Sequence, residues 1–321
     1  MPRPAAACSV RCDGVKILAE YVMRGRLQAA GVAGLCGVLS WLMPPVSYLS
    51  GAAVGLVALR HGAREGTFVI AGAALLSGAV AFGGFRNLLP VASLLVALWL
   101  PVWLAALVLR VSREQGVMLS AVGVMAGLFV VAMRVTLSDV DAWWEEILKR
   151  VFRQADSDRD VLVPEEMLVE LAAVMNPLIA AAIEFSIVVT LLLARWWQAA
   201  LYNPGGFRAE FEVLRLPGAL VFPTVAMLIY LVFEIMSRAR PHGMIVDLAV
   251  VACVLYCFQG LAVVHHQHRA REYSKAWLVI LYVVLIIRPQ YTVFGLAACG
   301  LLDRAVNFRG LPPPSERHIT R

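Results

Sequence analysis

Apolar residues fall in long runs separated by short stretches that carry charge, glycine or proline. A run that stays apolar on every face for roughly 20 residues is what a helix in lipid requires. Runs at 28–43, 46–59, 67–83, 88–109, 116–133, 174–194, 217–237, 243–264, 276–287 and 290–302 predict about ten membrane segments. The first two and the last two are short for spans of about 20 residues. They either tilt or form hairpins that stop short of the far side, so eight full spans is the alternative count. The predicted fold class is an all-α polytopic transmembrane helical bundle of about 8–10 membrane segments.

The chain is 60% hydrophobic and 16% charged, well beyond the ~45–50% apolar content of soluble domains. The net charge of +6 does not point to nucleic acid, because Lys and Arg sit in short loops between apolar runs. Their asymmetry predicts that both termini are cytoplasmic, in the inner membrane of a bacterium. The short outer turns hold only Arg86, Arg238, Arg240 and Arg288, and the long outer loop 134–173 is rich in Asp and Glu. The Arg238–Arg240 turn is the one misfit. The expected division is a cytoplasmic segment 1–27, a small-residue-rich membrane half 28–133, the acidic periplasmic loop 134–173, a second membrane half 174–302 and a cytoplasmic tail 303–321. Small residues such as Ala71-Gly72-Ala73-Ala74 let helices approach closely in the first half. No repeat links the halves. The N-terminus reads as a retained first span, since no cleavage signal follows. The cysteines form no CxxC pair, and Cys253 and Cys257 lie four apart on one apolar helix, which is packing more often than chemistry.

Glu184 stands in the middle of LIAAAIEFSIVVTLLLA. A carboxylate at that depth costs about 3 kcal/mol on insertion scales and ordinarily faces a polar cavity or a partner. Glu234, Asp247 and Arg288 fall at similar depth near the outer face. Together the four predict a substrate-binding site for a cationic or zwitterionic solute, or for protons. The plainer alternative is a structural ion pair, Glu234–Arg288 or Asp247–Arg288.

The 195–208 stretch ends a span in an aromatic belt and then an Asn-Pro-Gly-Gly stop. Arg195, Asn203, Pro204, Gly205, Gly206 and Arg208 therefore form a candidate cytoplasmic gating or docking element. Beyond it Phe207, Phe211 and Leu214 share one face of a short interfacial helix, with Arg208 and Glu212 on the other. In the outer loop, Trp143, Ile147 and Val151, like Trp144, Leu148 and Phe152, predict an amphipathic helix on the leaflet. Asp156, Asp158 and Asp160 open like a calcium loop, but Val161 and Met167 stand where glycine and glutamate are needed. His265, His266 and His268 lie among cations, which fits headgroup contact better than a metal. No metal or cofactor is expected, and no nucleotide-binding, serine-hydrolase or zinc-protease motif is present.

The segments LSGAAVGLVALRHGAREGTFV (49–69), RWWQAALYNPGGFRAEF (195–211), FQGLAVVHH (258–266) and LLDRAVNFR (301–309) resemble the YybS-like family of bacterial membrane proteins. That family has no established activity and is distantly similar to the substrate-binding S components of energy-coupling-factor transporters. The resemblance implies a compact helical bundle that captures a small solute and docks on a membrane partner through small residues of an early span, here Ala30, Ala33, Gly34 and Gly37. More spans than an S component, and an acidic outer loop, depart from that pattern. The leading expectation is a small-solute-binding or transport-associated protein whose partners are lipids, a solute and a membrane protein, with no nucleic acid. The alternative is a non-transporting scaffold or assembly factor. An enzyme acting on lipid carriers lacks a paired nucleophile and base.

Overall fold

A computed structural model describes residues 10–155, 164–237 and 243–310. The helices are α1 (Val10–Val22), α2 (Arg26–Leu39), α3 (Ser47–His61), α4 (Ala63–Phe85), α5 (Leu89–Leu94), α6 (Leu100–Ser112), α7 (Gln115–Thr136), α8 (Val140–Ala155), α9 (Glu165–Tyr202), α10 (Gly206–Glu212), α11 (Val221–Met236), α12 (Met244–Ala270), α13 (Lys275–Ile287) and α14 (Pro289–Val306). No strand occurs among the described residues. Every apolar run read from the sequence is a helix. Among the described residues six helices are long and apolar enough to cross a membrane: 63–84, 89–112, 115–136, 165–202, 218–236 and 244–270. The four short runs become α2, α3, α13 and α14. The calcium-like turn (156–161) and the Arg238–Arg240 turn lie outside the described residues.

Two compact units divide the chain: Met1–Val122 with Phe185–Phe211, and Gly123–Glu184 with Glu212–Arg321. Helix α9 serves both, its first part in the second unit and its last part in the first.

In the first unit small residues set the spacing. A Cβ added at Gly72 would meet Ala30 Cβ at 2.7 Å, and one at Gly34 would meet the Ala73 carbonyl at 3.2 Å. The small-residue face of α2 is therefore covered by α4 of the same unit. Interhelical hydrogen bonds replace the hydrophobic drive that lipid cannot supply. Trp99 Nε1 donates to Ser50 Oγ at 2.9 Å, Ser50 donates on to the Ala33 carbonyl at 2.6 Å, and Ser77 donates to the Gly34 carbonyl at 3.1 Å. Between α5 and α6 the chain makes one π-helical turn, Leu95–Trp99. Pro101 just beyond has no N–H for the usual i−4 bond, and the wider turn absorbs the mismatch.

In the second unit α12 packs along α14 where Gly260 and Gly300 bring the backbones into contact. The last part of α7 and the first part of α9 pack on α12 around Ala126, Val130, Ala180 and Val251. Helices α11 and α13 bury little, leaving Phe222 81% and Ile286 80% exposed. In a bilayer such faces meet acyl chains, so their exposure costs nothing.

Candidate functional site

The interior of the second unit is layered along α7, α9 and α12. At one level Asp247, in the first turn of α12, is 1% exposed. Its Oδ2 accepts from Arg134 Nε at 2.9 Å and from Asn176 Nδ2 at 2.6 Å. Arg134 closes α7 and also pairs with Asp141 at the start of α8, 3.2 Å away. A cation at a helix C-terminus and a carboxylate at an N-terminus each meet a favourable helix dipole. Asn176 precedes Pro177 inside α9, and the proline leaves the Ala173 carbonyl without its i→i−4 donor.

Four residues along each helix comes the apolar layer: Val130, Ala180 and Val251 stand one turn from Arg134, Asn176 and Asp247. Four further along α9 stands Glu184, roughly 12 Å from Asn176 at 1.5 Å per residue. It is fully buried, and neither carboxyl oxygen has a hydrogen-bond partner among the described residues.

The other predicted site residues are placed as follows. Glu234 is half-buried and accepts from the Tyr230 hydroxyl at 2.7 Å, one turn away on α11. Arg288 is exposed at the junction of α13 and α14. No hydrogen bond or ion pair joins any two of Glu184, Glu234, Asp247 and Arg288 among the described residues. The Asp247–Arg288 and Glu234–Arg288 ion pairs offered as the alternative are thus not formed; Arg134 takes Asp247 instead.

The 195–208 element has its own geometry. Arg195 forms a two-pronged pair with Glu210 and donates to Gln198 Oε1 at 3.3 Å. Asn203 and Pro204 end α9, and Gly205 at φ +88° reverses the chain into α10. That φ favours glycine, because a Cβ would crowd the backbone. Phe207 stacks on Phe211 with ring centroids 6.1 Å apart. Glu212, expected on the solvated face, is instead buried and paired with Arg269 at 2.9 Å. At the far end of the histidine cluster, His265 shares a 2.9 Å hydrogen bond with the Tyr282 hydroxyl.

A second buried network was missed by sequence reasoning. Asp303, at the start of the stretch read as a tail, is fully buried and takes Arg309 and Arg215. Gln259 bridges two elements, accepting from Leu216 N at 2.8 Å and donating to the Gly300 carbonyl at 2.6 Å. The signal was present in FQGLAVVHH and LLDRAVNFR, though nothing local says which residues meet.

Apolar helices long enough to cross a bilayer, packed around buried polar groups, define an α-helical, multi-pass integral membrane protein. Residues 165–304 match the family described as Predicted membrane protein (DUF2232), a span that runs from the start of α9 to near the end of α14. No curated protein and no solved structure matches the chain.

The Arg134–Asp247–Asn176 cluster is testable by stability. Arg134→Ala leaves a buried carboxylate with only an amide, and the expected loss is about 3 kcal/mol. Adding Asp247→Asn to that variant removes the stranded charge and should recover most of the loss. Thermal unfolding in detergent, followed by tryptophan fluorescence, reads both; equal midpoints for Arg134→Ala and the wild type contradict the assignment.

Proposed function

We propose that the protein is a small-solute-binding or transport-associated component of a bacterial inner membrane, with its site around Glu184. The observation that carries this reading is a contrast. Among the described residues the buried acids are Glu184, Glu212, Asp247 and Asp303. The last three each hold an arginine; Glu184 holds nothing. An unpartnered carboxyl inside a membrane protein costs several kcal/mol and persists where function requires it. The Asp247–Arg134–Asn176 level would receive the solute or proton from outside, and the layer of Val130, Ala180 and Val251 would separate it from Glu184. The family match over residues 165–304 covers Glu184, Asp247 and Asn176. The finer likeness to the YybS-like family, and through it to S components, fits a bundle that captures a solute. The Asn203–Arg208 turn would face a membrane partner. Both termini would be cytoplasmic, as the distribution of Lys and Arg favours.

Native mass spectrometry of protein extracted gently from its own membrane tests the reading. A discrete small-molecule adduct is expected on the wild type and should disappear in Glu184→Gln, which keeps shape and expression but removes the carboxyl. A bare wild-type chain, or an adduct unaffected by Glu184→Gln, overturns it.

The alternative is a scaffold or assembly factor, favoured by the amphipathic α8, whose Trp143 and Trp144 pack edge to face at 4.8 Å. Under it Glu184→Leu should be neutral or stabilising, because an apolar group replaces a desolvated charge.

A further inference from the structure

The segment LLDRAVNFR in the second unit leaves one cation unused. Asp303 is taken by Arg309 and Arg215, and Glu212 by Arg269. Arg304, beside Asp303 in the last turn of α14, makes no hydrogen bond and no ion pair among the described residues. The C-terminal dipole of α14 favours a cation there, but it does not account for where the side chain goes. Arg304 is half-buried and packs on Gly218: a Cβ built at that glycine would lie 2.6 Å from Arg304 Nη2 and 3.4 Å from its Cζ. Only a residue without a side chain leaves room for the guanidinium. Gly218 is also the first residue of the helical stretch 218–236, of which α11 is the main part.

A helix N-terminus is an unfavourable neighbour for a cation. It carries about half a positive charge, and its first N–H groups find no acceptor within the helix. Gly218 and Ala219 are exposed, and their N–H groups donate to nothing among the described residues. Arg215, three residues earlier, adds charge of the same sign: its side chain is 7% exposed and its Nε–H has no acceptor. Asp303 cannot neutralise this surplus, because one carboxylate already serves two arginines. A free guanidinium and the positive end of a helix therefore meet with nothing negative between them, the arrangement that an anion resolves. The guanidinium fork and two backbone N–H groups together offer up to four donors. That number suits a tetrahedral oxyanion better than a carboxylate, which has two oxygens. We infer that Arg304 and the turn at Gly218 and Ala219 bind a phosphate group, carried by a lipid headgroup or by a soluble molecule. The guanidinium and both N–H groups belong to residues that reach the surface, so the anion enters without any helix moving. The site shares no residue with that of Glu184, so either assignment can fail without the other.

The test uses the full chain, delipidated in detergent at constant ionic strength and titrated with glycerol phosphate, dioleoyl phosphatidylglycerol or acetate. Tryptophan fluorescence on heating reads the unfolding midpoint, and native mass spectrometry reads bound lipid. At least one of the two phosphate compounds should raise the midpoint, and acetate should not. A response to the lipid alone identifies a headgroup, whereas an equal response to glycerol phosphate identifies a soluble ligand; both support the assignment. Arg304→Gln should weaken binding about tenfold or more, as expected for loss of hydrogen bonds between charged groups. Without ligand, the same variant should unfold no lower than the wild type, because it removes an unpaired cation from a helix N-terminus. An arginine with a purely structural role would give the reverse pattern. Gly218→Ala displaces the guanidinium and should also weaken binding; where it fails to fold, Arg304→Gln carries the test. Arg288→Gln, at an exposed cation elsewhere, should change nothing. The assignment is overturned if neither phosphate compound shifts the midpoint or if acetate matches them. It is also overturned by wild-type affinity in Arg304→Gln, or by a ligand-free midpoint that this variant lowers.

Discussion

Gly260→Ala is expected to lower the unfolding midpoint of the protein sharply, although it adds a single methyl group. That methyl would sit 1.9 Å from the Leu296 carbonyl oxygen and 2.6 Å from its carbon. Both are backbone atoms of α14, so no side-chain rotation relieves the clash and one helix must move away. Gly300 is the reciprocal contact: its methyl would lie 2.2 Å from the Tyr256 oxygen and 2.7 Å from Gly260 N. The two glycines let α12 and α14 touch backbone to backbone, which is how helices associate where lipid offers no hydrophobic drive. Overpacking a core costs about 1–3 kcal/mol, and with an unyielding backbone on the far side the upper end is expected. Separation of the helices would also pull the Gly300 carbonyl from Gln259 Nε2, now 2.6 Å away. Gly295→Ala is the matched control on α14, since nothing lies within 4 Å of its added methyl. It should be neutral or slightly stabilising, because alanine favours a helix by about 1 kcal/mol over glycine. Tryptophan fluorescence on heating in detergent measures all three; a Gly260→Ala midpoint equal to that of Gly295→Ala would rule out the close contact.

The helices were legible because each rests on a signal many residues long. All ten apolar runs are helices, and the four flagged as short are α2, α3, α13 and α14. The four-residue steps from Trp143 and Trp144 likewise give α8. Glu184 was legible for the opposite reason, as a lone charge inside such a run. What joins the elements was not legible. Asp247 takes Arg134, which is 113 positions away, and nothing along α12 distinguishes that partner from Arg288. Asn176 is polar and precedes a proline, and so reads as a helix breaker; only the packing of α9 on α12 makes it a ligand of Asp247. Glu212 follows the spacing of a solvated face, yet Arg269 reaches it from another helix. Periodicity fixes which face of a helix is apolar, and lipid and protein interior both satisfy that condition. Telling them apart in a membrane protein takes tertiary contacts.

The same limit hid the second prediction, that Arg309→Ala costs about 3–5 kcal/mol, the usual loss when a buried ion pair is stripped of one partner. Arg309 lies only three residues beyond α14 in a stretch that reads as tail, yet its side chain is fully buried. Nη2 donates to Asp303 Oδ2 at 2.8 Å, while Nη1 donates to the carbonyls of Glu212 and Leu214 at 2.9 Å and 2.8 Å. One guanidinium therefore fastens the end of α14 to the connector between α10 and α11. Removing it leaves two carbonyls without that donor and leaves Asp303 with Arg215 at 3.4 Å. Asp303→Asn should be nearly as damaging, because Arg215 and Arg309 then face each other with no carboxylate between them. Replacing both members by apolar residues, Arg309→Met with Asp303→Leu, should recover much of the loss, since a buried pair exchanged for packed hydrophobic groups is often neutral. The double-mutant cycle separates the pair from its surroundings. A coupling energy of about 2 kcal/mol or more is expected for residues in one buried network, and simple additivity would mean that Asp303 and Arg309 act independently. If Arg309→Ala leaves the unfolding midpoint where it was, the segment after α14 is a tail in fact as well as in sequence.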